Sequence, residues 1–546
     1  MNRWLVVSRW TLLTAVAVVG AVRPVPARAS GGRLELTVVD KDTGEPVACR
    51  VHLRNAHGRA HKPRDRRLPF WGDHFVMPGR VVLNLPRGEY AFDLERGPEY
   101  RTRHGRFTIN NFADDAHRVT LERCVDMVSE GWYSGDLDVR REPDTIELLM
   151  RADDLHIAPL AMRGLVQGVK GEGGRGEGQT LHCFERGWCW QDGAQVISRA
   201  GSELLLFGLS EPITLPKEDG EYPPTIRYLR GAMPGMRSEG RGGRELGSRE
   251  LPDAGRHPTN PQSPAPNPPW IDVARAASWD MPMLVAHGLV DSVEVADGRL
   301  LREGMGDGPV VGKPRDGGLY PTSLGYARWI QDIYFKLLDC GLRMPPTAGS
   351  GSGESPNPVG YNRVYVHVAE PFTYERWWEN LRAGRVTVTN GPLLRPTVEG
   401  QLPGHVFQLA EGQAAQFEIA LTLSTREPIS YLEIIRNGRV AHSLPFKQYA
   451  ESGRLPPIEF DKPGWFLVRV VTDRPKTYRF AMTGPWYVEM GGRRRVSRSA
   501  AQFFLDWVYE RARQIELTGP ERDEVIAYHR TARDFWQRLV EQAGAE

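Results

Sequence analysis

Hydrophobic and polar residues alternate along the first part of the chain that follows residue 32. Leu34, Leu36 and Val38 are separated by single polar residues, which is the pattern of a strand with one buried face. A turn with the sequence Asp-Thr-Gly-Glu-Pro follows, and the alternation resumes over residues 47–53. We predict a small β-sandwich over residues 33–122.

The pattern changes over residues 125–345, where apolar runs of strand length alternate with stretches of helical spacing. Strands are predicted at residues 131–139 and 157–162, with a short helix between them. The clearest helix carries apolar side chains at helical spacing from Tyr326 to Leu338. Because alternating strands and helices favour a parallel sheet or a barrel, we expect an α/β domain here.

Short strand patterns return after residue 346 and give way to helices near the C-terminus. The strand at residues 385–389 ends in Asn-Gly-Pro, which is a strong turn signal. Further on, Ser499 begins a Ser-Ala-Ala-Gln capping box that predicts the start of a helix. We predict a β-rich domain over residues 346–490 and a helical tail over residues 497–546.

The N-terminal residues 1–29 have the composition of a secretory signal peptide. Arg3 and Arg9 precede an apolar run at residues 12–22, and the Ala-Arg-Ala at residues 27–29 matches a signal-peptidase cleavage site. The apolar run is shorter than the roughly 20 residues that a spanning helix needs. We expect an exported protein, periplasmic or extracellular, with no transmembrane segment after signal removal; a retained N-terminal anchor is the alternative.

Composition narrows the possible partners. The 546 residues include 70 basic and 68 acidic side chains, a net charge of +2, so no nucleic-acid partner is expected. The 58 Gly and 42 Pro predict many turns and favour a β-rich or α/β fold over a helical bundle. Five cysteines are too few for a disulfide scaffold. Cys183 and Cys189 fit no standard zinc spacing, so a disulfide or two buried thiols is the preferred interpretation.

One motif carries a family resemblance. Residues 130–140 read Glu-Gly-Trp-Tyr-Ser-Gly-Asp-Leu-Asp-Val-Arg. They resemble the entry strand of the CehA/McbA-type metallohydrolases of the PHP (polymerase and histidinol phosphatase) superfamily, which carry Gly-Trp-Tyr-Ser-Gly-Asp-Leu-His-x-His with both histidines as metal ligands. The likeness extends to further stretches at residues 144–159, 291–295, 349–368 and 389–394.

The resemblance implies a fold as well as a site. It implies a PHP-like distorted (β/α)7 barrel over residues 125–345, with a metal cluster at the carboxyl ends of its strands, flanked by β-sandwich-like modules. The sandwich at residues 33–122 is similar to the prealbumin-like, carboxypeptidase-regulatory modules found in many exported proteins. Such modules usually pack or bind and carry no chemistry.

The metal-binding part of the motif is altered in this chain. In a strand, residues two apart point to the same face, so a His-x-His pair presents two imidazoles to one metal ion. The corresponding residues here are Asp138 and Arg140. Aspartate can bind a hard cation, but arginine has no lone pair to donate and keeps its positive charge. We predict that the metal site is degenerate and that Arg140 pairs with Asp138 or another carboxylate in its place.

Other ligands of the family are also missing. Residues 158–163 lack the Asp-His that follows the second strand in more typical members, and Ala-Asp-Gly follows Val295 where relatives often have histidine. The histidines of the domain stand alone and are interpreted as structural: His156, His182, His257 and His287. If a metal does bind, the candidate ligands are Asp136, Asp138, His156, Asp280 and Asp297. The alternative interpretation of the four aspartates is structural: they stabilise turns and cap helices.

Three functions remain open. The first is an exported PHP-type homologue that has lost its metal site, has no cofactor, and acts as a non-catalytic binding or structural protein. The second is an active hydrolase of ester, amide or phosphoester bonds that holds Zn, Mn or Fe in a rearranged carboxylate site. The third is a carbohydrate- or cell-wall-binding protein, since 15 Trp and 17 Tyr permit aromatic surfaces. The partner is a small molecule or a polysaccharide that the sequence does not identify.

Overall fold

Three strand-rich modules and a pair of C-terminal helices follow one another along the chain, giving a mixed α/β fold with more strand than helix. The computed structural model describes residues 31–163, 180–185, 187–199, 202–209, 211–215, 225–232, 269–306, 311–515 and 522–546. The predicted signal peptide and His257 lie outside these ranges. Within them, no helix is both long enough and apolar enough to cross a membrane.

The N-terminal module is a sandwich of two β-sheets. Its strands are β1 (Gly31–Asp40), β2 (Cys49–Asn55), β3 (Phe70–Trp71), β4 (His74–Met77), β5 (Arg80–Pro86), β6 (Gly88–Glu95), β7 (Arg103–Ile109) and β8 (Asp114–Leu121). One sheet has the order β5-β1-β8 and the other the order β3-β4-β2-β6-β7. Leu34, Leu36 and Val38 are buried in the core between the sheets, as their alternation predicts.

The central module alternates strands and helices. Its elements are a 3₁₀ turn (Val128–Glu130), β9 (Trp132–Gly135), α1 (Pro143–Asp153), β10 (Ile157–Arg163), β11 (Leu181–Glu185), β12 (Trp188–Arg199), β13 (Ser202–Phe207), α2 (Thr225–Ala232), β14 (Trp270–Val273), α3 (Met281–Ala286), β15 (Ser292–Ala296), β16 (Leu300–Leu301), β17 (Gly304–Met305), α4 (Gly325–Asp339) and β18 (Pro346–Ala348). The helix predicted from Tyr326 to Leu338 is confirmed as α4, whose apolar side chains lie in the largest hydrophobic core.

The central strands form part of a 16-stranded sheet in the order β18-β15-β14-β13-β12-β10-β9. Most neighbours are parallel, but β13 pairs antiparallel with both β12 and β14. The reason is the hairpin-length connection between Arg199 and Ser202, which is too short for a parallel crossover. The expectation of a parallel sheet is therefore wrong: the sheet is mixed, and no continuous ladder among the described strands closes it into a barrel.

Strands that run in the same direction bring their carboxyl ends to one edge of this sheet, and the reversed strand β13 begins at that edge. We name it the carboxyl edge. After β9 the chain continues along it, where the N–H of Leu137 donates to the carbonyl of Ala348 at 3.1 Å. The N–H of Arg140 donates to the carbonyl of Ser352 at 2.7 Å. These isolated bonds place residues 136–140 beside the segment that follows β18.

The C-terminal module continues the same sheet. Its elements are β19 (Arg363–His367), α5 (Tyr374–Arg382), β20 (Val386–Thr389), β21 (Leu393–Val398), β22 (Val406–Leu409), β23 (Ala415–Phe417), β24 (Ile419–Ser424), β25 (Ile429–Arg436), β26 (Arg439–Pro445), α6 (Phe446–Ser452), β27 (Ile458–Phe460), β28 (Gly464–Thr472), β29 (Phe480–Thr483) and β30 (Trp486–Met490). From β9 the order runs β19-β20-β29-β28-β25-β26. The central and C-terminal modules therefore share one sheet, joined by antiparallel pairing of β9 with β19.

The C-terminal tail consists of α7 (Arg498–Gln514) and α8 (Arg522–Gln542), which pack on each other and on α3. The indole Nε1 of Trp536 donates to the carbonyl of Pro282 at 2.9 Å, which fixes α8 against α3. The cap of α7 is Ser497, whose hydroxyl accepts the N–H of Ala500, so the expectation that the capping box begins at Ser499 is wrong. The helix begins earlier because Ser497 has the extended backbone that a cap requires.

Candidate functional site

The Gly-Trp-Tyr-Ser-Gly motif forms β9 and directs the chain to the carboxyl edge. The indole Nε1 of Trp377, in α5, donates to the carbonyl of Tyr133 at 3.0 Å. Its ring lies against Gly135, where any side chain would overlap the indole. The glycine is therefore required by the close packing of α5 on β9. This packing fixes the strand from which the next residues reach the site.

Arg140 lies among several carboxylates. Its Nε donates to Asp138 Oδ1 at 2.6 Å and its Nη2 to Asp138 Oδ2 at 2.9 Å, which is a bidentate pair. The guanidinium also forms ion pairs with Glu203, at the start of β13, and with Glu354, in the segment after β18. The second oxygen of Glu203 pairs with Arg275 at 2.5 Å. The Arg140 and Asp138 side chains are only 10% and 4% exposed, so the charge of Asp138 is balanced mainly by Arg140.

Asp136 is fully buried and connects two segments of the chain. Its Oδ1 accepts the backbone N–H of Asp138 at 3.1 Å and that of Ser350 at 2.9 Å, and its Oδ2 accepts the N–H of Gly360 at 2.7 Å. Burial raises the pKa of Asp136 to about 7, although these N–H donors favour its ionised form. Asp136 thus holds the segment after β18 against the end of β9.

Two further acids come from β14 and β15. Asp272 Oδ1 accepts hydrogen bonds from the hydroxyls of Ser292 at 2.6 Å and Thr347 at 2.8 Å, and burial raises its pKa to about 6. Glu294 is fully buried, and neither of its oxygens has a hydrogen-bond partner among the described residues. Burial, and then the nearby charges of Asp272 and Asp138, raise the pKa of Glu294 well above its ordinary value.

Gly349 shows how closely these acids approach each other. A Cβ atom at this residue would overlap both the carboxylate of Glu294 and the Cβ of Asp138. Asp297, just beyond β15, accepts the hydroxyl of Tyr326 and adds its charge to the same region. We name the following five residues the carboxylate cluster: Asp136, Asp138, Asp272, Glu294 and Asp297.

Asp291 lies at the other end of β15, outside the cluster. Its Oδ2 accepts the N–H of Ile271 at 2.8 Å, and it faces the charges of Arg382 and Asp272. Burial raises the pKa of Asp291 to about 7. Its position before the strand separates it from the carboxyl edge, so it has no part in the candidate site.

Three of the five candidate ligands expected from the sequence lie in the cluster, and two do not. Asp280 pairs with Arg511 of α7 at 2.8 Å, and its side chain makes no cap bond to α3. His156 lies with Nδ1 2.9 Å from the Ser134 hydroxyl, and burial lowers its pKa to about 4. Asp280 is therefore part of the tail contact, and His156 is a neutral, buried hydrogen-bonding residue.

Several acids of the site were missed in the sequence: Glu203, Asp272, Glu294 and Glu354. A signal for two of them exists in the apolar strand sequences Trp-Ile-Asp-Val and Ser-Val-Glu-Val-Ala, which are buried on both faces. A charged residue in such a strand is rarely buried without a specific role. Glu203 carries the same signal, since its strand Ser-Glu-Leu-Leu-Leu-Phe is also buried throughout. Glu354 lies outside any strand and joins the site only through the tertiary path of the chain.

The other described histidines and the cysteine pair of the central module have structural partners. The ring of His182 stacks on Trp190 with centroids 3.9 Å apart. His287 Nε2 lies 3.0 Å from the carbonyl of Tyr528 in α8. Cys183 and Cys189 form a disulfide. Within the described part of the chain, none of these side chains joins the carboxylate cluster.

A second group of possible metal ligands lies in the N-terminal sandwich. His52 Nδ1 is 3.1 Å from Asp73 Oδ2, and His74 Nδ1 is 3.3 Å from Asp73 Oδ1. Arg54 Nη2 donates to the same carboxylate at 2.6 Å. Burial lowers the pKa of His74 to about 4, so His74 is a neutral partner near pH 7. A guanidinium on the shared carboxylate makes this group a poor cation site.

The donors of the carboxylate cluster do not match the metal centre that the family resemblance implies. They are oxygens alone, whereas imidazole is a preferred ligand of zinc and iron. Arg140 already engages both oxygens of Asp138, and its fixed charge repels any cation placed beside it. Within the carboxylate cluster, only Glu294 and Asp272 keep oxygens without hydrogen-bond partners among the described residues. A cation here would therefore have to be a hard one, bound away from Arg140.

Aromatic side chains do not form an exposed platform in the described ranges. Phe112 and Tyr509 are the aromatic residues among the large exposed hydrophobics, and they lie in different modules. The described tryptophans are buried or partly buried. This arrangement gives no support to a carbohydrate-binding surface built from stacked rings.

Comparison with known proteins identifies no relative: no family model, no curated protein and no solved structure matches the chain at a significant level. Neither the sheet nor the carboxylate cluster is thus assigned to a family by likeness.

Proposed function

We propose that this chain is an exported, non-catalytic binding protein related to the PHP-type metallohydrolases, in which Arg140 stands in the place of the metal. The observation that carries the proposal is the set of bonds of its guanidinium, to Asp138, Glu203 and Glu354. Metal-assisted hydrolysis uses a cation to lower the pKa of water and hold the attacking oxygen. A guanidinium has no open coordination position, so it stabilises the acids without supplying that chemistry.

Two other features support parts of the proposal. A PHP-like barrel is supported by the strand ends gathered at the carboxyl edge and by the isolated bond from Leu137 to Ala348. An exported location is supported by the Cys183–Cys189 disulfide, because disulfides persist mainly outside the cytoplasm. The partner remains a small molecule or a polysaccharide.

Elemental analysis of protein purified without chelators tests the loss of the metal. We expect far less than one equivalent of zinc, manganese or iron per chain, and no change in metal content for Asp138→Asn. Asp65→Asn is a matched control, because Asp65 pairs with an arginine two residues away on the surface. A stoichiometric ion that is absent from Asp138→Asn but present in Asp65→Asn would overturn the proposal.

Restoring the family's histidines should not restore hydrolysis. The double variant Asp138→His with Arg140→His supplies the two imidazoles, but the described histidines lie outside the cluster and cannot complete the ligand set. We expect no turnover of p-nitrophenyl esters or bis(p-nitrophenyl) phosphate with added Mn²⁺ or Zn²⁺. The control is the double variant Asp65→His with Arg67→His. Metal-dependent turnover by Asp138→His with Arg140→His, but not by this control, would mean that the remaining ligands are in place and would contradict the proposal.

A hydrolase with a rearranged carboxylate site is the second candidate, favoured by the buried, unpartnered oxygens of Glu294. Such a site would hold a hard cation between Glu294 and Asp272. It predicts that Mn²⁺ raises the melting temperature of the wild type and that Glu294→Gln abolishes both this shift and any Mn²⁺-dependent hydrolysis. The first proposal predicts no shift in either protein.

A further inference from the structure

A cleft of about 580 Å³ opens where the three modules meet. Its walls come from the connection between β6 and β7, from the turn between β16 and β17, and from the loop between β28 and β29. None of the carboxylate-cluster residues lines it. Concave sites of this size between modules are usual places for small molecules to bind.

The lining of the cleft is rich in positive charge. It contains eight Arg or Lys side chains and four Asp or Glu side chains. The acids are shared: Glu427 pairs with Arg474 at 2.9 Å and also with Arg479. Glu95 pairs in the same way with two arginines of the lining. Those two arginines have further partners in the lining, since Asp153 pairs with Arg50 and Glu303 with Arg302, both at 2.6 Å. The excess of eight cations over four acids therefore lies at the other basic side chains of the lining.

Arg426, like the buried Arg363 of the same lining, donates to neutral acceptors. Its Nη1 donates to the carbonyls of Gly97 at 2.9 Å and Tyr100 at 3.1 Å, and to the hydroxyl of Thr102 at 3.4 Å. No carboxylate of the described chain forms an ion pair with it. Burial lowers the pKa of Arg426, and the nearby charges of Glu95 and Glu427 offset this only in part. Lys476, which is exposed on the loop between β28 and β29, also has no ion pair within the ranges that the structure describes.

We propose that this cleft binds a small molecule that carries two or more anionic oxygen groups, with Arg426 and Lys476 among its contacts. Guanidinium and ammonium groups form their strongest hydrogen bonds with phosphate, sulfate and carboxylate oxygens, and a low-dielectric cleft strengthens each of them. A volume of about 580 Å³ suits a small molecule. The inference is independent of Arg140, which does not line the cleft.

Isothermal titration calorimetry of the full chain tests the site with inorganic pyrophosphate, citrate and sucrose at constant ionic strength. Pyrophosphate and citrate represent phosphate and carboxylate ligands, and sucrose is a neutral control of comparable size. We expect saturable binding of at least one anion and no binding of sucrose. When the titrations are repeated at a higher salt concentration, the affinity for the anion should fall. Which anion binds more tightly tells the two ligand chemistries apart.

Two variants locate the binding. Arg426→Gln should lower the affinity for the anion by about tenfold or more, which is the effect of losing one charge-assisted hydrogen bond. Lys476→Gln should weaken it by severalfold, and it keeps the test valid if Arg426→Gln does not fold, because Lys476 is exposed. Arg439→Gln removes the same charge from an exposed residue of the same module outside the cleft and should bind as the wild type does.

Three results would overturn the proposal: no saturable binding of either anion, sucrose binding as tightly as they do, or Arg439→Gln weakening binding as much as Lys476→Gln. None of them bears on Arg140, so the two proposals fail separately.

Discussion

Replacing Arg140 with methionine should destabilise the protein strongly, and the structure indicates where the loss arises. Without the guanidinium, Asp138 loses its ion-pair partner, whereas Glu203 keeps Arg275. Glu354, whose side chain is 37% exposed, can be solvated instead. The cost therefore falls mainly on one buried carboxylate. Removing one partner of a buried pair typically costs about 3–5 kcal/mol, which we expect for Arg140→Met near pH 7.5.

The double variant Asp138→Asn with Arg140→Met separates a stranded charge from lost packing. The amide removes the uncompensated carboxylate, so this protein should lose only about 1–2 kcal/mol, the worth of the hydrogen bonds. It should thus be more stable than the single variant Arg140→Met. The free energy of the first unfolding transition in urea, followed by tryptophan fluorescence, measures this order without assuming that all modules unfold together.

A surface pair with the same spacing is the control. Arg67 donates from Nε to Asp65 Oδ1 at 3.0 Å and from Nη2 to Asp65 Oδ2 at 2.8 Å, and the Arg67 side chain is 89% exposed. The corresponding single and double variants should change stability by less than about 1 kcal/mol. Two results would contradict this prediction. One is a free energy of unfolding for Arg140→Met within about 1 kcal/mol of the wild type. The other is a double variant, Asp138→Asn with Arg140→Met, that is less stable than Arg140→Met alone.

Further variants test the packing, the titration and the disulfide. Gly135→Ala should destabilise the protein by about 2 kcal/mol or more, because the methyl group overlaps the indole of Trp377, and Gly135→Ala with Trp377→Phe should recover part of that loss in the same urea assay. The pKa of Asp291 in the folded protein is raised to about 7, so the free energy of unfolding of the wild type should fall as the pH rises from 4 to 7. Asp291→Asn lacks this titration, so its stability relative to the wild type should increase over the same range. A stability difference that does not change with pH would refute the raised pKa. Reduction of the Cys183–Cys189 disulfide, which closes a separation of 6 residues, should cost about 2 kcal/mol, and dithiothreitol should have no effect on a variant with serine at both residues.

The local elements could be predicted where the sequence alone determines them. The apolar spacing from Tyr326 to Leu338 marks α4, and Ser-Val-Glu-Val-Ala marks β15. The direction of β13 could not be predicted, because it depends on the hairpin that follows β12 and on pairing with a strand more than 60 residues later. Asp280 is the N-cap residue of α3 as expected, but its side chain makes no cap bond, because a tail helix over 200 residues away supplies its partner, Arg511.

The candidate site could be predicted in part. A motif of eleven residues brings Asp136, Asp138 and Arg140 close together, but the strand predicted over residues 131–139 ends at Gly135, so these residues follow β9 instead of lying in it. Glu203, Asp272 and Glu294 come from separate strands, and only the sheet order brings their side chains to one edge. Spacing along the chain carries no information on such an arrangement. An acid within an apolar strand is the one trace of it that a sequence retains.

The net charge of +2 gives no sign of an anion-binding site, because opposite charges are segregated within the fold. Residues 349–362 lie between an acidic and a basic region. Gly349 faces the acids Asp138 and Glu294, while Gly360 donates its N–H to Asp136 and also lines the positive cleft. A field that acts on a ligand depends on the charges within about one Debye length of it, roughly 10 Å, and not on the sum over the whole chain. The same near-neutral protein can therefore hold a guanidinium tightly at one site and attract an anion at another.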